Sequence, residues 1–324
     1  MTAKRDYSTI LFPPDQASQL TTAYLEQRKN SAGHGVPIGL PGLDKDFIPM
    51  ISGELCSVIG RPGNGKTGFM VRWARERSKW LRENGKSAKR LVMYITLEQS
   101  IEELNAFNIA ADERLSITSM ARGEITDDEW NKCLKAATDR ILLPLWNIGY
   151  SSMTKKKQIK VDLDAINGAL EIAKETHNKD IDIVFVDYLQ RIPYNGRESK
   201  GVGISDNLDG LKNIALRLKC PVVLGVQARR EVDGYADHLP DLDDGQWTSN
   251  IEQTSDKILA LMRPAKYWDE GEVTDLDLLK NQPVSKNMMV IYTLKQKLGK
   301  DNFPYLAYFN PEYNKLDELE LRYA

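Results

Sequence analysis

The sequence predicts an α/β fold with a mostly parallel central sheet flanked by helices. Three observations carry this expectation. Short runs that are almost wholly apolar recur along the chain, at 54–59 (ELCSVI), 90–96 (RLVMYIT), 181–187 (IDIVFVD) and 221–226 (PVVLGV). Continuous Val/Ile/Leu runs mark strands buried on both faces. Segments with apolar residues at helical spacing separate them, so strand and helix alternate. The first run leads into the glycine-rich octet Gly60-Arg61-Pro62-Gly63-Asn64-Gly65-Lys66-Thr67 and then into a helix.

Taken in order, Pro13-Pro14 breaks the N-terminal segment and Asp15 caps a helix running to about Arg28, with Leu20, Ala23 and Tyr24 as its apolar stripe. Ser31 to Gly35 reads as a flexible break, which sets off residues 1–34 as an N-terminal arm. The arm helix must dock, either on its own domain or on a neighbouring subunit. Residues 35–324 read as one domain. Its helices are expected from Lys66 to about Leu81, around 100–112 and 126–139, over Asp162–Thr176 (Ile166, Leu170, Ala173 on one face) and over Asp206–Lys219. Further strands are expected at Lys257–Met262, Met288–Leu294 and Tyr305–Phe309. No internal repeat or low-complexity tract interrupts them.

Composition narrows the function classes. The 324 residues carry 44 Lys plus Arg against 46 Asp plus Glu, a formal net charge of -2. No whole-chain basic field exists, which disfavours a simple cationic nucleic-acid binder but leaves room for a basic channel. Cys56, Cys133 and Cys220 lie far apart and form no CxxC pair, so a disulfide scaffold or zinc knuckle is disfavoured. The start lacks a signal-peptide stretch and no span reaches the roughly 18 apolar residues of a membrane helix. A cytoplasmic protein without membrane contact is expected.

The octet fits GxxxxGK[ST], with a strand leading in and a helix leading out. Its glycines let the backbone N–H groups of Gly60, Arg61, Gly63, Asn64 and Gly65, with Pro62 at the bend, curl around phosphate oxygens at a helix N-terminus. Lys66 can reach the β- and γ-phosphates of ATP, and the Thr67 hydroxyl can bind Mg²⁺. Asp187, closing the apolar strand VFVD, supplies the second metal-side carboxylate. Glu98, just beyond the strand that follows the phosphate-loop helix, is the candidate for activating water. Gln227 follows PVVLGV and is placed to sense the γ-phosphate. In a parallel sheet these positions share the carboxyl edge.

Together these motifs resemble the C-terminal motor domain of DnaB-type replicative helicases, including phage and mobile-element forms, which has a RecA-like P-loop NTPase fold. The resemblance rests on Gly35-Val36-Pro37-Ile38-Gly39-Leu40 with Leu43-Asp44, the octet, Thr96-Leu97-Glu98-Gln99-Ser100 and Asp187-Tyr188-Leu189-Gln190. It continues through Leu211-Lys212, Pro221-Val222, Gln227-Ala228-Arg229-Arg230, Ile251-Glu252-Gln253 and Lys295-Gln296-Lys297-Leu298-Gly299, from about 35 to 309. It implies an ATP-hydrolysing, hexameric ring with nucleotide between subunits. Lys66, Thr67, Glu98, Asp187 and Gln227 then serve one side of the site, and residues 295–297 reach the next subunit's γ-phosphate. The helix near 15–28 becomes a linker helix packing on the adjacent subunit.

Three departures from the family pattern shape the expected function. Only about thirty residues precede the motor, so a primase-binding collar is not expected. The arginine finger falls on Lys297, assisted by Lys295, which keeps the charge but loses the bidentate fork. The DNA-contacting loop places Gln246, Trp247 and Ser249 at the family's Arg, Glu and Gly positions, and Glu231, Asp233, Asp237, Asp241, Asp243 and Asp244 precede it without a Lys or Arg. Facing a pore, that run would repel phosphates, while Trp247 could stack on a base; alternatively the run is a solvated face and Trp247 a packing residue. Arg229 and Arg230 are candidate phosphate contacts, and Lys155-Lys156-Lys157 reads as a solvated turn. The expected function is an ATP-dependent, ring-forming helicase or translocase on single-stranded DNA, acting in replication with other replication proteins. The alternative is a RecA-like ATPase switch or scaffold that loads, remodels or antagonises a replicative helicase without unwinding DNA.

Overall fold

The computed structural model describes residues 11–29, 35–194, 199–245, 250–279 and 281–319. The chain divides into two compact units, Met1–Val36 and Pro37–Ala324. In the first, α1 (Pro14–Lys29) begins with a proline at its first turn and carries Asp15 there, where the helix dipole favours a carboxylate. Leu20, Tyr24 and Leu25 are exposed on it.

Among the described residues the second unit is built on a nine-stranded sheet with order β3-β2-β4-β5-β1-β6-β7-β8-β9. Strands β1 (Leu55–Gly60), β2 (Arg90–Thr96), β3 (Leu145–Ile148), β4 (Asp180–Asp187), β5 (Val222–Gln227) and β6 (Lys257–Met262) run parallel. Strands β7 (Met288–Gln296), β8 (Phe303–Asn310) and β9 (Lys315–Glu318) extend the sheet antiparallel. The central strands are buried along almost their whole length because helices cover both faces, as continuous apolar runs require.

The helices are set by local signals. α4 (Ile101–Glu113) and α6 (Asp127–Arg140) each begin with a reciprocal capping box, Ser100 with Glu103 and Thr126 with Glu129. Asp162 caps α7 (Leu163–Glu175). Two short helices, α2 (Pro41–Asp44) and α5 (Ile117–Arg122), go beyond the sequence expectation. α8 (Lys200–Leu218) starts well before the expected Asp206, because Ser199 caps it by accepting from Val202 N–H. Gly203, upstream of the expected helix start, is helical. A Cβ there would overlap the Tyr194 ring, so only glycine allows this approach.

α3 (Lys66–Glu83) packs its N-terminal turn against the far end of the sheet. A Cβ on Gly68 would collide with Asn314 Oδ1 and fall 2.8 Å from the Phe309 ring, both residues buried. Gly68→Ala is therefore expected to destabilise the chain by about 1–3 kcal/mol through overpacking, read as a lowered urea midpoint. An unchanged midpoint would show that β8 and β9 yield freely. Among the described residues no helix is long and apolar enough to cross a membrane.

Candidate nucleotide site

The strand register brings the predicted residues to one edge. Gly60 at the end of β1 pairs with Gln227 at the end of β5, and Thr96 at the end of β2 pairs with Asp187 at the end of β4. Glu98 lies two residues past Thr96, exposed at the same edge. This is where ligands of open parallel sheets bind.

The phosphate loop owes its curl to Gly63 (φ 78) and Gly65 (φ 85), both left-handed. Beneath it, a Cβ at Gly65 would collide with Met289 Cε. Asn64 is fully buried. Its amide donates to Tyr267 Oη at 3.3 Å and its oxygen accepts from Arg263 N–H at 3.3 Å, so its side chain braces the loop from behind. Pro62 O accepts from Lys266 Nζ at 2.6 Å. Arg61 turns outward, donating to Ala228 O at 3.1 Å and pairing with Asp233 at 2.7 Å. The loop thus offers backbone N–H groups and one lysine to its hollow.

Lys66 Nζ folds back onto Gly60 O at 2.8 Å. Burial pulls its pKa down to about 8, against the opposing pull of the Asp187 and Glu98 carboxylates. That coupling places both acids around the ammonium. Asp187 is buried, and burial raises its carboxyl above the usual range despite help from Thr67, Lys66 and Tyr94. Tyr94 Oη donates to Oδ2 at 3.1 Å, while buried Oδ1 meets no hydrogen-bond partner among the described residues. A buried acceptor left open beside a threonine hydroxyl and a phosphate loop fits a hard divalent cation held partly by phosphates.

Gln227 is fixed by an amide that the sequence reading names within a motif but gives no role of its own. Gln190 donates Nε2–H to Gln227 O at 3.3 Å and accepts from Gln227 N–H at 3.2 Å. Tyr94 also escapes that reading, although strand alternation puts it on the same face as Thr96, and its register partner Phe185 on the same face as Asp187.

The candidate finger residues sit elsewhere. Gln296, between Lys295 and Lys297, pairs with Lys257 at the start of β6, while Gly60 pairs with Leu261 near its end. The separation is about 13 Å along the strand. Lys295 Nζ donates to Glu252 O at 2.6 Å in α9 (Asn250–Thr254), and Lys297, largely exposed, lies 3.5 Å from Asp256. Neither is directed at the phosphate loop of its own chain.

The acidic segment is not simply a solvated face. Asp244 is fully buried and gathers Arg229 at 2.6 Å, Tyr235 Oη at 2.9 Å and Asp241 N–H at 2.8 Å. Arg229 is therefore neutralised within the chain, whereas Arg230 is exposed. Sequence does not reveal this, because the fold brings the partners together, with Ala228 bridged to Gly245. Gln246, Trp247 and Ser249 lie outside the described residues. Lys155, Lys156 and Lys157 are exposed, as a solvated turn requires.

Comparison with known proteins decides the family, since the DnaB-like helicase C-terminal domain matches residues 35–318. The chain belongs to this family. It is 26% identical over 303 residues to the replicative DNA helicase DnaC of Bacillus subtilis, covering 92% of this chain and 60% of that protein. It is 27% identical over 292 residues to the replicative DNA helicase DnaB of Geobacillus stearothermophilus, covering 89% and 58%. The chain thus spans about three-fifths of the length of these relatives. Two solved structures share the fold at 24% identity, each covering 94% of this chain. One is an ATPase domain (TM-score 0.77, 98% of that chain covered). The other is a DnaB-like replicative helicase studied for its interactions with primase (TM-score 0.75, 66% of that chain covered). The second unit accordingly has the RecA-like architecture of DnaB-type ATPase domains.

Proposed function

We propose that this DnaB-like domain is the ATP-driven motor of a ring-forming helicase or translocase on single-stranded DNA, acting in replication. The observation that carries the proposal is the convergence of the phosphate loop, Glu98, Asp187 and Gln227 on one sheet edge in a chain of this family. Backbone N–H groups of Gly60, Arg61, Gly63, Asn64 and Gly65, with Lys66, hold the nucleotide phosphates. Thr67 and Asp187 would hold Mg²⁺, which would supply positive charge against that developing on the phosphates. Glu98 takes the proton of the attacking water, and Gln227, braced by Gln190, reports the γ-phosphate.

Lys297, with Lys295, acts as the finger for a neighbouring protomer's nucleotide. Its distance from its own loop supports action in trans and hence a homo-oligomer, a hexamer by analogy with the family. Arg230, Gln246, Trp247 and Ser249 are the candidate DNA contacts. Turnover of MgATP is expected to rise with single-stranded DNA, and the stimulation to fall steeply with salt. DNA that neither binds nor stimulates would favour the second reading, a switch that regulates a helicase without unwinding. The Arg229–Asp244 pair favours that second reading, because it removes a cation from the edge.

Lys66 gives this site a pH signature. Its folded pKa of about 8 lies below a lysine's ordinary 10.5, so the charged lysine penalises the empty fold below pH 8. That penalty fades as pH rises from 8 toward 10.5, so this group's contribution makes the empty chain more stable there. Bound phosphates need the ammonium, so ADP affinity is expected to fall as pH rises through 8, approaching ~tenfold per pH unit. Calorimetric titration of MgADP from about pH 7 to 9.5 checks this; a flat profile would contradict a Lys66 that is both lowered by burial and in contact with phosphate.

A further inference from the structure

The two oxygens of Asp187 are treated differently. Oδ2 accepts the Tyr94 hydroxyl at 3.1 Å; Oδ1 is buried and has no hydrogen-bond partner among the described residues. Space at Oδ1 is kept by Gly225 of β5, where a Cβ would lie 3.3 Å from that oxygen. Thr67 stands beside the same carboxylate.

The hydroxyl is itself held in place by packing. The buried Tyr94 ring stacks on Phe185 with centroids 5.9 Å apart at 15°. Phe185 meets Trp73 of α3 edge-on at 5.6 Å, and Trp73 meets Phe69 at 5.8 Å. Phe69 is two residues past Thr67 on the same helix. An aromatic ladder therefore runs from the helix that carries Thr67 to the strand that carries Tyr94, and it fixes the distance between them.

We propose that Tyr94 is a positioning residue: its hydroxyl occupies Oδ2 and leaves Oδ1 as the single oxygen that Asp187 presents to a divalent cation beside Thr67. This rests on the nucleotide reading above. An unrestrained carboxylate rotates about its Cβ–Cγ bond and must be ordered each time the cation binds. A carboxylate already hydrogen-bonded from behind is ordered beforehand.

The test uses the whole chain and mant-ADP fluorescence, first in EDTA and then with Mg²⁺ titrated in. Tyr94→Phe keeps the ring and its stacking and loses only the hydroxyl. It is expected to bind mant-ADP in EDTA as the unaltered chain does, and to need about tenfold more Mg²⁺ for half of the metal-dependent gain. Tyr94→Leu is expected to show the same Mg²⁺ requirement together with a lower melting temperature. A Mg²⁺ half-saturation in Tyr94→Phe equal to that of the unaltered chain would overturn the proposal. So would an equal loss of affinity in EDTA and in Mg²⁺, which is the signature of packing alone. If the unaltered chain gains no mant-ADP affinity from Mg²⁺, the nucleotide reading itself fails, and this is seen before any substitution is made.

Discussion

Glu98→Gln is expected to abolish turnover while leaving nucleotide bound. The substitution keeps size and polarity but removes the base, and positioned proton transfer contributes about 10²–10⁴ in rate. Glu98 is exposed at the mouth of the site and its charge is felt by Lys66, so it lies near the phosphates without being part of their cradle. Lys66→Ala should do the reverse and weaken binding first. The two variants are separated by measuring phosphate release alongside mant-ADP affinity. Full turnover in Glu98→Gln would move the base elsewhere on the edge.

The largest effect on stability is expected away from the site. Lys257 at the start of β6 is buried, with its ammonium on Glu54 Oε2 at 2.8 Å, Ile48 O at 2.8 Å and Pro49 O at 3.3 Å. Glu54 is buried too, and also accepts from Ile51 N–H at 3.0 Å. Glu54→Leu strands the ammonium in the protein, which costs about 3–5 kcal/mol. Glu54→Leu with Lys257→Met removes both charges and should recover most of that loss. Urea unfolding at constant slope reads both. If the single and double variants lose equal stability, packing rather than the stranded charge governs this corner.

The parts of the chain that are legible in sequence are those where one local signal suffices. Strands β1, β2, β4 and β5 announce themselves because burial on both faces demands unbroken apolar runs. The site follows, because parallel strands put their carboxyl ends on one edge and the register then sets Gly60 beside Gln227 and Thr96 beside Asp187. β3 (LWNI) escapes sequence reading because it is a short, half-buried edge, and β9 (KLDE) because edge strands face water and take charges. Asp244 and Asp233 look like repulsive surface acids. Their partners, Arg229 and Arg61, are 15 and 172 residues away, so only the tertiary fold shows that the acids neutralise the site's flanking arginines. Tyr94 is hidden for a different reason. An aromatic residue in a buried strand reads as core, and nothing local reveals that its hydroxyl ends on a carboxylate.

If nucleotide turnover at this edge drives movement along single-stranded DNA, strand displacement from a forked DNA duplex tests it most directly. The unaltered chain, assembled with MgATP, should release the strand, and Glu98→Gln should bind the fork without releasing it. DNA-stimulated hydrolysis with no displacement on any fork, in the unaltered chain, would contradict the helicase reading and leave movement on single-stranded DNA without unwinding; no stimulation at all would leave a nucleotide switch.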